Sequence, residues 1–372
     1  MNILLLFTYQ VSLKDWYDSG IIERELALYK KLNAKYNTEF IFLTYGDESD
    51  FEYVKEYNFI KVLPLHQFLV KKNNRLMDIF NQLRSINKIL DKFGKNFDII
   101  KTNQLNGVWL GLLIKLLFKK PLFVRTGYDL FLFSIKEKKV IYKKIFYYLL
   151  TWSALLFSNL YTVSSETDYK YINKIYFFPK KKFLIRRNWV EINEYKDFKD
   201  RKSDKFLSVG RLESQKDFEF LIKKLNNKKV QLDIVGNGSQ LKHLSEISSD
   251  NINFLGVYDH TKLMKIYDKY KFYITSTNYE GNPKSLIEAM SKGCVVIAPK
   301  NENIDEVIKN NETGIIYDKE NLDVDQLLIK LSSKNSEKIS KNAYNFILNN
   351  YSIDNAIEVE FQDYLNCLNE KF

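Results

Sequence analysis

Residues 272–299 read FYITSTNYEGNPKSLIEAMSKGCVVIAP. A short apolar run is followed by a glycine-proline loop, a helix-forming segment and a second apolar run. This is the strand–loop–helix–strand order of a parallel sheet covered by helices. The loop holds Glu280 beside Gly281 and Pro283, and the helix brings a second acid, Glu288. The plain reading is a surface helix carrying a Glu, with Lys284 four residues before it at salt-bridge spacing. A reading with more chemistry needs the rest of the chain.

The same alternation runs outward in both directions. Upstream stand NILLLF and ERELALYKKL, EFIFLT, FDIIKT and GVWLGLLIKLL, PLFVRT and LYTVS; after the polar bridge EINEYKDFKDRKSD (191–204) the pattern restarts with KFLSVG, VQLDIVG, INFLG and, past the opening stretch, GIIYD. At 372 residues the chain exceeds what one hydrophobic core supports. The expectation is an α/β protein of two Rossmann-like, doubly wound domains, 1–190 and 191–351, with a helix at 352–372 packing back on the first. Two such sheets facing each other make a cleft at the carboxyl ends of their strands, where sheets of this kind bind ligands. The N-terminal MNILLLFTYQ lacks a basic region and a small-residue cleavage site, so it reads as a buried strand. Two cysteines, Cys294 and Cys367, form no zinc or disulfide pattern, which fits a reducing cytoplasm.

Charge divides unevenly. Residues 1–190 hold 31 Lys and Arg against 17 Asp and Glu, a net of +14, whereas the remainder nets −3. An anionic partner for the first half follows: membrane surface, nucleic acid or acidic substrate. The uncharged window 145–163 has the length of a bilayer span, yet Ser158-Asn159 interrupts it. It reads instead as the end of a basic-then-aromatic helix, Lys138 through Leu156 within KEKKVIYKKIFYYLLTWSALLF (136–157), followed by a short strand.

Glycines close strand after strand in the second half, at Gly210, Gly236 and Gly256, with Gly281 in the loop already quoted. A strand-end glycine lets backbone approach a ligand. In SVGRLESQKD (208–217) Arg211 and Lys216 join such a loop, with a helix expected from about Lys216; a guanidinium and an ammonium there suit a diphosphate that gains charge on leaving. VGNGSQL (235–241) lacks the third glycine of a dinucleotide fingerprint, and the first strand has no such fingerprint after it, so nicotinamide binding is disfavoured.

On these residues the chain resembles the retaining family-4 glycosyltransferases of the GT-B fold: G-R-L-x-x-x-K at 210–216, V-G-N-G at 235–238, and the E-x7-E pair of Glu280 and Glu288 followed by G-C-V-V-I-A at 293–298. The resemblance covers roughly residues 204–320. It implies that Arg211 and Lys216 hold the nucleotide diphosphate, that Glu280 meets sugar hydroxyls near the reacting carbon, and that Glu288 accepts from the ribose. Gly210, Gly236, Gly281, Asn282 and Ser285 would line the donor. It also implies that no metal and no further cofactor is needed beyond the nucleoside-diphosphate sugar itself. The first half matches in layout alone, with Ser19-Gly20 as a glycine loop entering the first long helix. Arg125, in VRTGYD, stands where many relatives carry a His of the reaction site and is taken with Glu280, Arg211 and Lys216 as a catalytic candidate; Pro283 removes an amide that relatives offer.

The expected function is therefore transfer of a sugar, with retention, from a nucleoside diphosphate to a glycan or lipid-linked acceptor in synthesis of bacterial-type surface polysaccharide or glycolipid. The setting is cytoplasmic, peripheral on the inner membrane, without a nucleic-acid partner. Ser19, Gly20 and Asp129 are acceptor-side candidates; Asp129 and Glu23 are named by loop position alone, with capping or solvation the competing reading. A nucleotide-sugar epimerase of the same fold and a non-catalytic basic adaptor for membrane or nucleic acid are the alternatives. The histidines add little, His66 reading as packed, and Asp323-Val-Asp325 reads as acids at a helix start rather than a metal motif.

Overall fold

The structure is a computed structural model and describes residues 1–70, 74–94, 96–331 and 335–369. The chain forms two compact units, Met1–Arg186 together with Ile357–Phe372, and Arg187–Ala356. The crossing falls at Arg186–Arg187, ahead of the polar stretch 191–204, whose last residues already belong to a strand. The final helix, Ile353–Leu368, carries the chain back into the first unit.

The first unit holds a seven-stranded sheet: β1 (Asn2–Leu6), β2 (Glu39–Thr44), β3 (Ile60–Pro64), β4 (Ile99–Thr102), β5 (Leu122–Arg125), β6 (Leu160–Val163) and β7 (Phe183–Ile185). Their order is β3-β2-β1-β4-β5-β6-β7, every pair parallel. Ile3 lies opposite Phe40 on one side and Ile99 on the other. Ile3 through Leu6 are all buried. Helices on both faces leave no solvated side, which is why these strands read as unbroken apolar runs.

The second unit repeats the plan with β8 (Lys202–Val209), β9 (Gln231–Val235), β10 (Ile252–Phe254), β11 (Tyr270–Ile274), β12 (Val295–Pro299) and β13 (Ile315–Tyr317). The order is β10-β9-β8-β11-β12-β13, again all parallel. Successive side chains feed opposite cores: Phe206 and Val295 pack with Leu221 and Leu327 on one face, Leu207 and Val296 with Leu286 and Ile347 on the other. Both sheets are thus doubly wound, as expected. Each reverses its order beside its first strand, and the carboxyl ends of β8 and β11 flank that point in the second unit.

The stretch 136–157 is not one helix. A short helix, Leu130–Lys136, ends at Glu137, and a second runs Ile141–Phe157 before β6. Lys138 between them has φ 51, a left-handed backbone that a helix cannot continue through. Among the described residues no helix is long and apolar enough to cross a membrane.

Candidate functional site

Lys216 follows β8 and Glu280 follows β11, so the switch point of the second sheet places them side by side. The Lys216 ammonium pairs with the Glu280 carboxylate, and both side chains keep a small exposed fraction. The two loops are tied to each other by hydrogen bonds. Asn278 N–H donates to the Gln215 carbonyl (2.9 Å) and the Gln215 amide to the Tyr279 carbonyl (2.9 Å). The Ser276 hydroxyl bridges the carbonyls of Lys216 (3.0 Å) and Asp217 (2.7 Å). Lys319 joins Asp217 Oδ2 (2.7 Å) to Asn278 Oδ1 (2.6 Å). Asp217, with φ 50, caps the helix Phe218–Leu225, which therefore starts two residues later than the sequence reading placed it. Preorganisation of this kind removes the cost of assembling the site at the moment of reaction.

Backbone closeness explains the glycines. A Cβ on Gly236, whose φ is +147, would meet the Gly210 carbonyl oxygen at 1.9 Å, so no other residue fits where the β8 and β9 loops touch. Gly210 itself lies against the Lys216 stem. Arg211 is exposed at the outer part of the same loop and acts on the Glu213 carboxyl, which the Ser239 hydroxyl and amide hold below its ordinary pKa.

Glu288 lies on the helix Lys284–Ser291 and is 1% exposed. Its Oε2 accepts from the Tyr267 hydroxyl at 3.4 Å, and Oε1 stands 3.3 Å from His260 Nε2 without the alignment of a hydrogen bond. The Lys284 ammonium lies 5.3 Å from the Trp189 ring centroid. On the same helix Ser285 Oγ accepts from the Tyr273 hydroxyl (3.0 Å). Burial raises the Tyr273 phenol in pKa and both glutamates add to the shift, so it stays a donor. Gly281 and Asn282 are fixed by their carbonyls, which accept from Asn303 (2.6 Å) and Asn188 (2.9 Å). The second unit therefore gathers Gly210, Arg211, Lys216, Gly236, Glu280, Gly281, Asn282, Ser285 and Glu288 at or next to the loops that follow β8, β9 and β11.

The first-unit candidates fare differently. Ser19-Gly20 does not follow β1: Ser12 and Asp15 cap each other reciprocally (2.7 and 3.1 Å) and start an extra helix, Leu13–Asp18, which Ser19 and Gly20 then terminate. The Ser19 hydroxyl is spent on the Asp15 carbonyl (2.6 Å). Thr8, Tyr9 and Gln10 occupy the strand end instead, Tyr9 donating to Asp78 at 2.9 Å. Arg125 is held by Glu360 of the final helix at 3.2 Å. Asp323 caps the helix Val324–Leu331, as the sequence reading has it, and Asp325 pairs with Lys228 (2.7 Å).

Asp129 is the cap of Leu130–Lys136, accepting from Leu132 N–H (2.7 Å) and Thr151 (3.3 Å). Burial raises its carboxyl to about 6, the hydrogen bonds offsetting only part of the effect. The folded state then holds a proton that the unfolded chain has released by about pH 4, so this group's contribution to stability is full below pH 4 and lost as pH rises through about 6. Asp129→Asn, which still caps, is expected to remove that slope and to stabilise at neutral pH by on the order of 2 kcal/mol. Urea midpoints at pH 4.5 and 7.5 check it; an unchanged slope with lost activity would make Asp129 a reacting group instead.

His260 was not visible in sequence as part of the site. The signal was Asp259-His260 opening a helix just after the strand-end Gly256.

Residues 191–346 match the family model of glycosyl transferases group 1. The chain as a whole has the fold of solved GT-B glycosyltransferase structures. It is 27% identical to an uncharacterized glycosyltransferase of Methanocaldococcus jannaschii over 379 aligned positions, covering 95% of this chain and 91% of that protein. Among solved structures, HepE of Anabaena in complex with UDP and glucose superposes with a TM-score of 0.75 at 14% identity, covering 98% of this chain and 99% of that one. Sucrose-phosphate synthase of Thermosynechococcus elongatus gives 0.78 at 16% identity with the same coverage.

Proposed function

We propose that the chain is a retaining glycosyltransferase of family 4 that moves a hexose from a nucleoside diphosphate to a glycan or lipid-linked acceptor, working without a metal at the cytoplasmic face of a membrane in polysaccharide or glycolipid synthesis. The observation that carries it is the pairing of Lys216 with Glu280 across the switch point, with buried Glu288 one helix turn beyond. A diphosphate entering beside the β8 loop competes for Lys216 and Arg211. Glu280, released from its ion pair, is then an acceptor for sugar hydroxyls. Glu288, already held by the Tyr267 hydroxyl, accepts from the ribose. HepE binds UDP and glucose, which favours a uridine donor here. In the front-face route the donor phosphate takes the proton of the attacking hydroxyl as the bond to the leaving diphosphate breaks on the same face.

The test is stabilisation of the folded chain by UDP-, GDP- and ADP-sugars, since a ligand that binds only the native state raises its stability. Proton NMR of the product anomer then reads retention. No stabilisation by any donor, or an isomerised sugar from donor alone, overturns the reading, the latter in favour of an epimerase. Glu288→Gln is expected to raise the donor KM by about 10-fold or more with a smaller change in kcat, as for loss of a charged hydrogen bond in uniform binding. Initial rates over a donor series check it; a pure kcat loss would move Glu288 to the reacting centre.

A further inference from the structure

We infer that the helix Ile141–Phe157 is a docking element for an anionic lipid bilayer. It rests on the proposed lipid-linked acceptor for its purpose but not for its geometry. This helix is apolar on two opposite faces. Tyr147, Leu150, Thr151 and Ala154 point into the core, whereas Ile141, Ile145, Leu149 and Trp152, at spacings of four, four and three, stand 69, 53, 50 and 38% exposed. A water-facing helix should carry polar residues on that second stripe. The stripe runs about 16 Å along the axis at 1.5 Å per residue, long enough to lie in an interface rather than to cross it.

The surface continues past the helix. Trp152 Nε1 donates to the backbone carbonyl of Phe177 at 3.1 Å, and that residue is 91% exposed. By contrast the second unit shows only Val257, Ile329 and Leu348 as exposed large apolar residues among those described. A patch of this extent on one unit marks an interaction surface.

Charge selects the occupant. Between residues 99 and 182 the sequence holds 15 Lys and Arg against 4 Asp and Glu. Two of those acids, Asp129 and Asp168, are buried. Lys138 and Lys143 are exposed at the start of the apolar stripe, and Lys180 and Lys181 follow Phe177 closely. A second copy of this chain would bring like charges together across the patch. Anionic headgroups satisfy the lysines while the side chains of the stripe enter the acyl boundary.

The experiment uses the full chain and vesicles of phosphatidylcholine with or without phosphatidylglycerol, at low and high salt. Sedimentation is expected only with phosphatidylglycerol and is expected to fall with salt. Changing Ile145 and Leu149 together to Ser should lower partition by about 100-fold, roughly 10-fold for each apolar side chain withdrawn from water. Lys143→Gln with Lys144→Gln should lower it by roughly 30-fold. All four positions lie outside the core, and unfolding midpoints taken on the same samples show that the variants fold. Equal binding to neutral vesicles, an unaffected Ser variant, or concentration-dependent self-association that the Ser variant abolishes without any lipid binding each overturns the inference. Stabilisation by nucleotide sugar, measured in parallel without lipid, reports on the proposed reaction separately, so the two readings fail independently.

Discussion

Lys216→Ala is expected to lower turnover by about 10²-fold or more, and the double change with Arg211→Ala to cost at least as much. In the proposed reaction charge on the leaving diphosphate grows through the transition state, and a cation held where that charge develops stabilises the transition state more than the bound donor. The position of Lys216 is fixed by its neighbours. Its carbonyl is held by Ser276, and its loop is zipped to the β11 loop by Gln215 and Asn278. Its ion-pair partner is Glu280, so the same substitution also strips a carboxylate of its counter-charge and lowers the unfolding midpoint. The two consequences separate in the measurement. A purely structural Lys216 would affect stability and leave kcat per folded molecule unchanged, whereas a Lys216 acting on the leaving group shows the deficit in kcat/KM at temperatures where the variant is fully folded. Lys216→Arg, which keeps the charge, is expected to recover part of the rate. Unchanged turnover in the double variant would remove both cations from the mechanism.

The legibility of this chain follows from where each signal is written. The opening stretch announced its βαβ unit because β11, the helix Lys284–Ser291 and β12 are each built by local pattern, and the strands are buried on both faces. Lys216 and Glu280 lie 64 residues apart, and parallel pairing of β8 with β11 brings them together. The resemblance located both residues, but their ion pair is a property of the sheet order. In the first unit local signals misled. Ser19-Gly20 looks like a strand-to-helix loop until Ser12-x-x-Asp15 is seen to start a helix of its own. Five lysines and the aromatics after them look like one helix until the chain turns left-handed at Lys138. Asp129 kept two readings open, and its contacts are those of a cap.

Arg125 shows the limit most plainly, because what occupies it lies 235 residues further along the chain. Glu360, 5% exposed on the final helix, sits between the Arg125 guanidinium and the ammonium of Lys101, a β4 residue only 1% exposed. Tyr364 donates to the same carboxylate at 2.6 Å. Burial alone would raise the Glu360 carboxyl, but Lys101 and Arg125 bring it below its ordinary value; burial lowers Lys101, which Glu360 opposes. One carboxylate thus serves two cations, and the lysine is the marginal member. Glu360→Gln strips the buried Lys101 and the partly exposed Arg125 of their ion-pair partner, leaving Lys101 only the weaker influence of Asp363, and is expected to cost about 3 kcal/mol in the first unit. The sign with pH is fixed by the lysine. Its folded pKa lies below the unfolded one, so between the two values the unfolded chain binds more protons and stability rises with pH. The Glu360→Gln deficit should therefore ease as pH climbs toward the ordinary lysine range. Adding Lys101→Met to the variant removes the stranded ammonium and is expected to recover a large part of the loss, since apolar replacement of a buried pair is often neutral. Thermal and urea unfolding of the single and double variants at pH 7 and 9 provide the measurement. A single variant as stable as wild type, or a double variant no better than the single, would show that the bidentate Arg186–Asp363 pair (2.7 Å for both contacts) and the stacking of Tyr36 on Phe361 hold the final helix without help from Glu360.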